Sequence, residues 1–112
     1  MLTTRQPRLF GSRRRTEVLI TVALLGETFP SELARLLNAP LYSVQNIVAA
    51  LDREGVLASR ISGRARVVSL DPRYFAFREL ENLLLKLAEG EPELRAAASA
   101  RRSRPRRAGG PL

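Results

Sequence analysis

The chain has 112 residues, enough for one domain with a single modest core, and 45% of them are apolar without any run of membrane-spanning length. It holds no cysteine and no histidine, which excludes disulfides, thiolate and imidazole metal sites, and catalysis by a nucleophile–histidine pair. The net charge of +8 lies at the ends: residues 1–15 carry +5, residues 101–112 carry +5, and the body between them is nearly neutral. Basic arms on a balanced body point to a polyanionic partner, nucleic acid first and an anionic membrane second, although such arms also simply raise solubility. The opening "MLTTRQPRLF" has arginines but no apolar stretch, so it does not read as a signal peptide, and the cytoplasm is the expected compartment.

A first helix is expected from the N-cap candidate Ser12 to Gly26. Its apolar residues cover more than one face, so it is either central in a core or shared with a partner chain. The arginines at 13–15 fall in its first turn, where the helix dipole disfavours cations, and this hints at a nearby anion. "ETFPSELARLLN" starts a second helix, with Pro30 in the first turn and Asn38 suited to a left-handed terminating position. Pro40 begins a third, roughly 41–54, on which Val44, Ile47, Val48 and Leu51 form an inward stripe.

The period then changes to two. "VLASRISGRARVVSL" reads as a hairpin turning at Ser62, Gly63, Arg64 and Ala65, with Leu57, Ile61, Val68 and Leu70 facing one side. "DPRYFAFRELENLLLKLAEG" reads as a fourth helix capped by Asp71, begun by Pro72 and stopped by Gly90. A short helix in "EPELRAAASARR" then precedes the compositionally disordered "SRPRRAGGPL". The expected organisation is a basic arm at 1–11, a folded domain at 12–90, and a short helix with an Arg-rich tail at 91–112.

Helix, tight turn, helix and hairpin is the order of a winged helix-turn-helix, a mainly helical α+β fold. In "LARLLNAPLYSVQNIVAALDREG" the inward stripe of the third helix leaves Leu41, Tyr42, Ser43, Gln45, Asn46, Ala49 and Arg53 on or near its exposed side. Gln and Asn pair bidentately with adenine, Ser and Tyr reach phosphates or bases, and Ala or Leu contacts a thymine methyl. An ordinary solvated face would carry more Glu and Lys. In the hairpin, Arg60, Arg64 and Arg66 cluster at the tip, where they suit a minor groove and its phosphates or, alternatively, protect a sheet edge from aggregation. Arg13 and Arg14 are further candidate DNA contacts.

The stretch from "FGSRRRTEVLITVALLGETF" through "SELARLLNAPLYSVQNIVAALDREGVL" to "LDPRYF" resembles the winged-helix repressors of the ArsR-like group, with MarR-type regulators more distant. The resemblance implies a homodimer that sets two recognition helices in successive major grooves of double-stranded DNA, with Tyr42, Ser43, Gln45 and Asn46 reading bases and Arg64 and Arg66 on the wing. The metal-sensing members of that group use Cys, His and carboxylates; without Cys or His, no metal or other cofactor is expected here. An unknown small-molecule or protein effector remains open.

Phe77, Leu80, Leu84 and Leu87 are spaced as a coiled-coil-like seam, widened by Leu83 and Leu85. With Leu19 of the first helix they are expected at a homodimer interface whose two-fold symmetry matches a palindromic operator. The alternative is that the seam covers the monomer's own core. No Gly-rich phosphate loop or paired-carboxylate spacing is present, so an enzyme is not expected. Two functions remain: a dimeric transcriptional regulator, taken as a repressor, or a winged-helix adaptor or antitoxin-like protein that binds a protein partner and touches DNA only non-specifically.

Overall fold

The Ser12 hydroxyl accepts the Arg15 N–H at 3.1 Å and opens the helix α1, Arg13–Leu25, in the computed structural model, which describes residues 9–103. The rest follows as β1 (Glu27–Thr28), α2 (Pro30–Leu37), α3 (Leu41–Arg53), β2 (Leu57–Ser62), β3 (Ala65–Leu70), α4 (Phe77–Ala88) and α5 (Pro92–Ser103). Among the described residues this is a mainly helical α+β fold of five helices and one antiparallel sheet, ordered β1-β3-β2. Residues 1–8 of the arm expected at 1–11, and residues 104–112 of the region expected at 91–112, lie outside the described residues.

Of the two roles open to α1, the fold uses the first. The helix packs against α2, α3, α4, α5, β1 and β3, and Arg13 alone among its 13 residues is exposed rather than buried or half-buried. Val18, Leu19, Ile20 and Val22 meet Leu33, Leu37, Val44, Val48, Leu51, Leu57, Val68 and Leu84 in one core. Leu19, expected at a dimer contact, is 1% exposed and Leu84 is 0% exposed within the single chain, so neither offers surface to a second copy. The seam on α4 therefore covers the chain's own core: Phe77, Leu80 and Leu87 pack against it, half-buried, while Leu83 and Leu85 stay 40% exposed on either flank.

The joint between α2 and α3 is short because two residues are chosen for it. Asn38 takes the left-handed conformation (φ 54°, ψ 48°) that ends α2, and Pro40 sits extended before the first turn of α3. Ala39 closes the turn by donating its N–H to the Ala34 carbonyl at 2.9 Å. Val44, Val48 and Leu51 are buried and Ile47 half-buried, as the periodicity requires.

Three details depart from the sequence reading. First, β1 joins the sheet, pairing Glu27 with Ser69 and Thr28 with Val68. Second, Ile61 shares a face with Leu57 and Ser59 but is 68% exposed, because it pairs with Arg66 beyond the edge of the core. Third, α4 begins at Phe77 rather than beside Asp71. The Asp71 carboxylate accepts the Arg73 N–H at 2.9 Å and its carbonyl accepts the Tyr74 N–H at 3.0 Å, so residues 71–76 close turns on themselves before the helix starts. The C-terminal helix α5 lies against α1 and α2, with Ala98 buried.

Candidate nucleic-acid interface

One wall of the candidate site is the outer face of α3. Between Leu41 and Leu51 that helix has no charged residue; Leu41, Tyr42, Gln45, Asn46 and Ala49 are exposed and Ser43 is half-buried. The opposite wall is the tip of the β2–β3 hairpin. Ser62 pairs with Ala65 across a two-residue loop, and Gly63 at φ 62° occupies the first loop position, where a side chain would be strained. The two walls enclose a groove of about 830 Å³, lined by Leu41, Gln45, Asn46, Val48 and Ala49 on one side and by Ser62, Arg64, Ala65 and Arg66 on the other. Phe29, Pro30 and Ser31 at the start of α2 complete its lining.

Both walls are braced. The Ser59 hydroxyl of β2 donates to Asp52 Oδ2 of α3 at 2.6 Å, fixing the hairpin to the end of the helix. Arg15 holds the Glu54 carboxylate just beyond α3 at 2.5 Å, and Arg14 donates to the Leu37 carbonyl at the end of α2 at 3.0 Å. At the start of α2, Glu32 is buried; it accepts the Thr28 hydroxyl of β1 at 2.5 Å and pairs with Arg101 of α5. Held at several points, the groove is preformed, the condition under which side chains on helices present a fixed constellation.

The arginines divide into those engaged internally and those turned outward. Arg13 and Arg14 both pair with Glu17, at 3.1 Å and 3.4 Å, and Arg15 with Glu54, so the anions near the first turn of α1 are the chain's own carboxylates. Arg60 pairs with Glu27 across the sheet at 3.1 Å, both side chains exposed. Arg66 lies 3.5 Å from the Ser59 hydroxyl, a marginal contact. Arg64 and Arg53 have no ion-pair partner among the described residues, and Arg53 stands in the last turn of α3, outside the groove lining.

No family model, curated protein or solved structure matches the chain. The arrangement of its own side chains is therefore what a functional reading must rest on.

Of the residues picked from the sequence, the groove gathers Gln45, Asn46, Arg64 and Arg66. Tyr42, though exposed, lies outside its lining with Ser43 and Arg60, Arg13 pairs within α1, and Arg14 belongs to the bracing between helices. Sequence reasoning missed Phe29, Pro30 and Ser31. Pro30 marks a helix start, but only the β1–β3 pairing brings that start to the hairpin. The arrangement offers amides and apolar groups to a flat polar edge and guanidinium groups to an anionic backbone. Among the described residues, no three carboxylates gather to hold a metal ion, and no helix is long and apolar enough to cross a membrane.

Proposed function

We propose that the chain is a sequence-specific double-stranded DNA-binding regulator of the winged helix-turn-helix kind, a cytoplasmic repressor acting as a homodimer. The observation that carries the reading is the single groove shared by Gln45 and Asn46 on α3 and by Arg64 and Arg66 on the hairpin. A uncharged helix face enters a major groove about 12 Å wide, and the paired arginines reach the adjoining minor groove and its phosphates. Leu83, exposed beside the half-buried Leu80 and Leu87, supports α4 as the surface that a second copy covers.

The test is selection of bound sequences from a random duplex pool at about 150 mM salt, where binding by basic arms alone is suppressed. Enrichment of a palindrome with half-sites roughly one helical turn apart is the expected result. Binding without enrichment that disappears as salt rises overturns the reading. In that case the exposed Leu41 and Tyr42 belong to an adaptor or antitoxin-like contact with a protein partner.

A further inference from the structure

The length of α3 that faces the groove carries neither acid nor base; its first charged residues, Asp52 and Arg53, stand in the last turn. The chemistry of base edges gives that pattern a meaning. Guanine presents two acceptors to the major groove and is read bidentately by Arg or Lys, whereas cytosine presents an amino group that suits Asp or Glu. Adenine presents an acceptor beside a donor, the complement of a side-chain amide, and thymine adds a methyl group that rewards apolar contact. On α3 the groove holds two amides and several apolar side chains, and no group of the kind that reads guanine or cytosine. Leu41, Gln45 and Ala49 recur every fourth residue, so they form one row along the helix with the amide between two apolar neighbours. The opposite wall is consistent with the same sequence class. Arg64 and Arg66 project from the hairpin tip, and arginine is drawn into the narrow minor groove of A-tracts by its enhanced negative potential.

We infer that the groove selects an A·T-dominated half-site, an inference that rests on the DNA reading above and names its target class. Gln45 and Asn46 each pair with an adenine edge, Leu41 and Ala49 pack on thymine methyl groups beside them, and Arg64 and Arg66 enter the narrow A·T minor groove that follows.

The full chain is titrated against the duplex recovered from the random pool and against three altered versions of it. In one, thymines under the half-site are replaced by deoxyuridine, which removes only the methyl group. In another, A·T pairs become G·C. In the third they become inosine·cytosine, which shows a G·C-like major-groove edge but keeps a minor groove without the 2-amino group. The expected site is A·T-dominated, and both G·C and inosine·cytosine at the pairs under α3 weaken binding on the order of tenfold to a hundredfold. At the pairs under the hairpin, inosine·cytosine is tolerated and G·C is not. Gln45→Ala and Asn46→Ala each abolish the inosine·cytosine penalty at one position, and deoxyuridine lowers affinity several-fold. A recovered half-site with G·C pairs at its centre, or inosine·cytosine tolerated at every position, overturns the inference while leaving the DNA reading intact. A pool with no enriched site overturns the DNA reading itself, so the two failures separate at the first step.

Discussion

The ion pair between Glu32 and Arg101 ties the last helix to the start of α2, and its burial is lopsided: the Glu32 side chain is 4% exposed and that of Arg101 25%. That asymmetry sets the size of the response to losing either partner. Arg101→Met keeps the stem of the side chain but leaves a carboxylate in the interior with the Thr28 hydroxyl as its remaining donor. Removing one member of a buried pair costs about 3–5 kcal/mol, and the surviving hydroxyl contact places this case near the lower end, about 3 kcal/mol. Glu32→Gln retains an acceptor for Thr28 and leaves an arginine that water can reach, a loss of about 1 kcal/mol. Combining the two changes removes the stranded charge, so the double variant regains about 2 kcal/mol relative to Arg101→Met. Urea unfolding at pH 7 measures all three, with an unchanged slope as the check that only stability has moved. By melting temperature, Arg101→Met falls by roughly 15 °C at about 4–8 °C per kcal/mol for a small domain. An Arg101→Met no worse than Glu32→Gln, or a double variant equal to the sum of the singles, would mean that Glu32 is not stranded as a buried charge.

Arg64→Ala removes a cation without an ion-pair partner among the described residues and should reduce the salt slope of DNA binding by about one, so that its deficit against the wild type narrows about 3.5-fold between 50 and 200 mM salt. Arg14→Ala should leave that slope unchanged and lower stability by about 1 kcal/mol through the lost Leu37 contact, and an equal slope change in both would contradict the division of roles. The hydrogen bond from the Arg73 side chain, and then its backbone N–H, hold the Asp71 carboxyl below the usual range, while burial raises that of Glu91. Asp71 therefore contributes stability that is present above its unfolded pKa of about 3.9 and is lost as pH falls through its lower folded value. Glu91 costs stability at neutral pH, and the cost is relieved as pH falls through its raised value. Urea midpoints between pH 7 and 3 should show Asp71→Asn below the wild type and Glu91→Gln above it at pH 7, with the Glu91→Gln gap closing first on acidification; parallel curves would refute this. Leu84→Ala should cost about 3 kcal/mol as a core cavity, whereas Leu83→Glu should leave the fold intact and yield a monomer in sedimentation; a persistent dimer would move the interface off α4.

Local conformation was legible wherever one residue type is chosen for it. Ser12 announced the start of α1, Asn38 the end of α2 and Gly63 the bend of the hairpin, and each occupies the backbone state its chemistry favours. Asp71 misled because its carboxylate serves a tight turn as readily as a helix cap; the same preference for neighbouring N–H groups underlies both. The two residues of β1 are too few to show a period, so the strand that brings the start of α2 to the groove left no trace in the pattern. Apolar spacing on α4 and α1 marked Leu84 and Leu19 as buried but carried no information on which chain buries them. The outward face of α3 was legible because the inward stripe defines it by difference. The arginines were harder: Arg14 and Arg64 look alike in sequence, and only the Glu17 carboxylate and the Leu37 carbonyl beside Arg14 mark it as a brace.

On the proposed DNA reading, the central position of α1 bears on how the two bodies fit. A rod in contact with four helices and two strands ties every element but β2 to one common support. A torque applied at the hairpin passes through β3 and β1 into the same rod that carries α3 and α4. On that reading the protein acts as a stiff die, and adjustment between it and the duplex is expected to fall on the softer of the two bodies. Flexible pyrimidine–purine steps would yield to the die at little cost and stiff tracts would resist it, so base pairs that no side chain touches would still weigh in the choice of site.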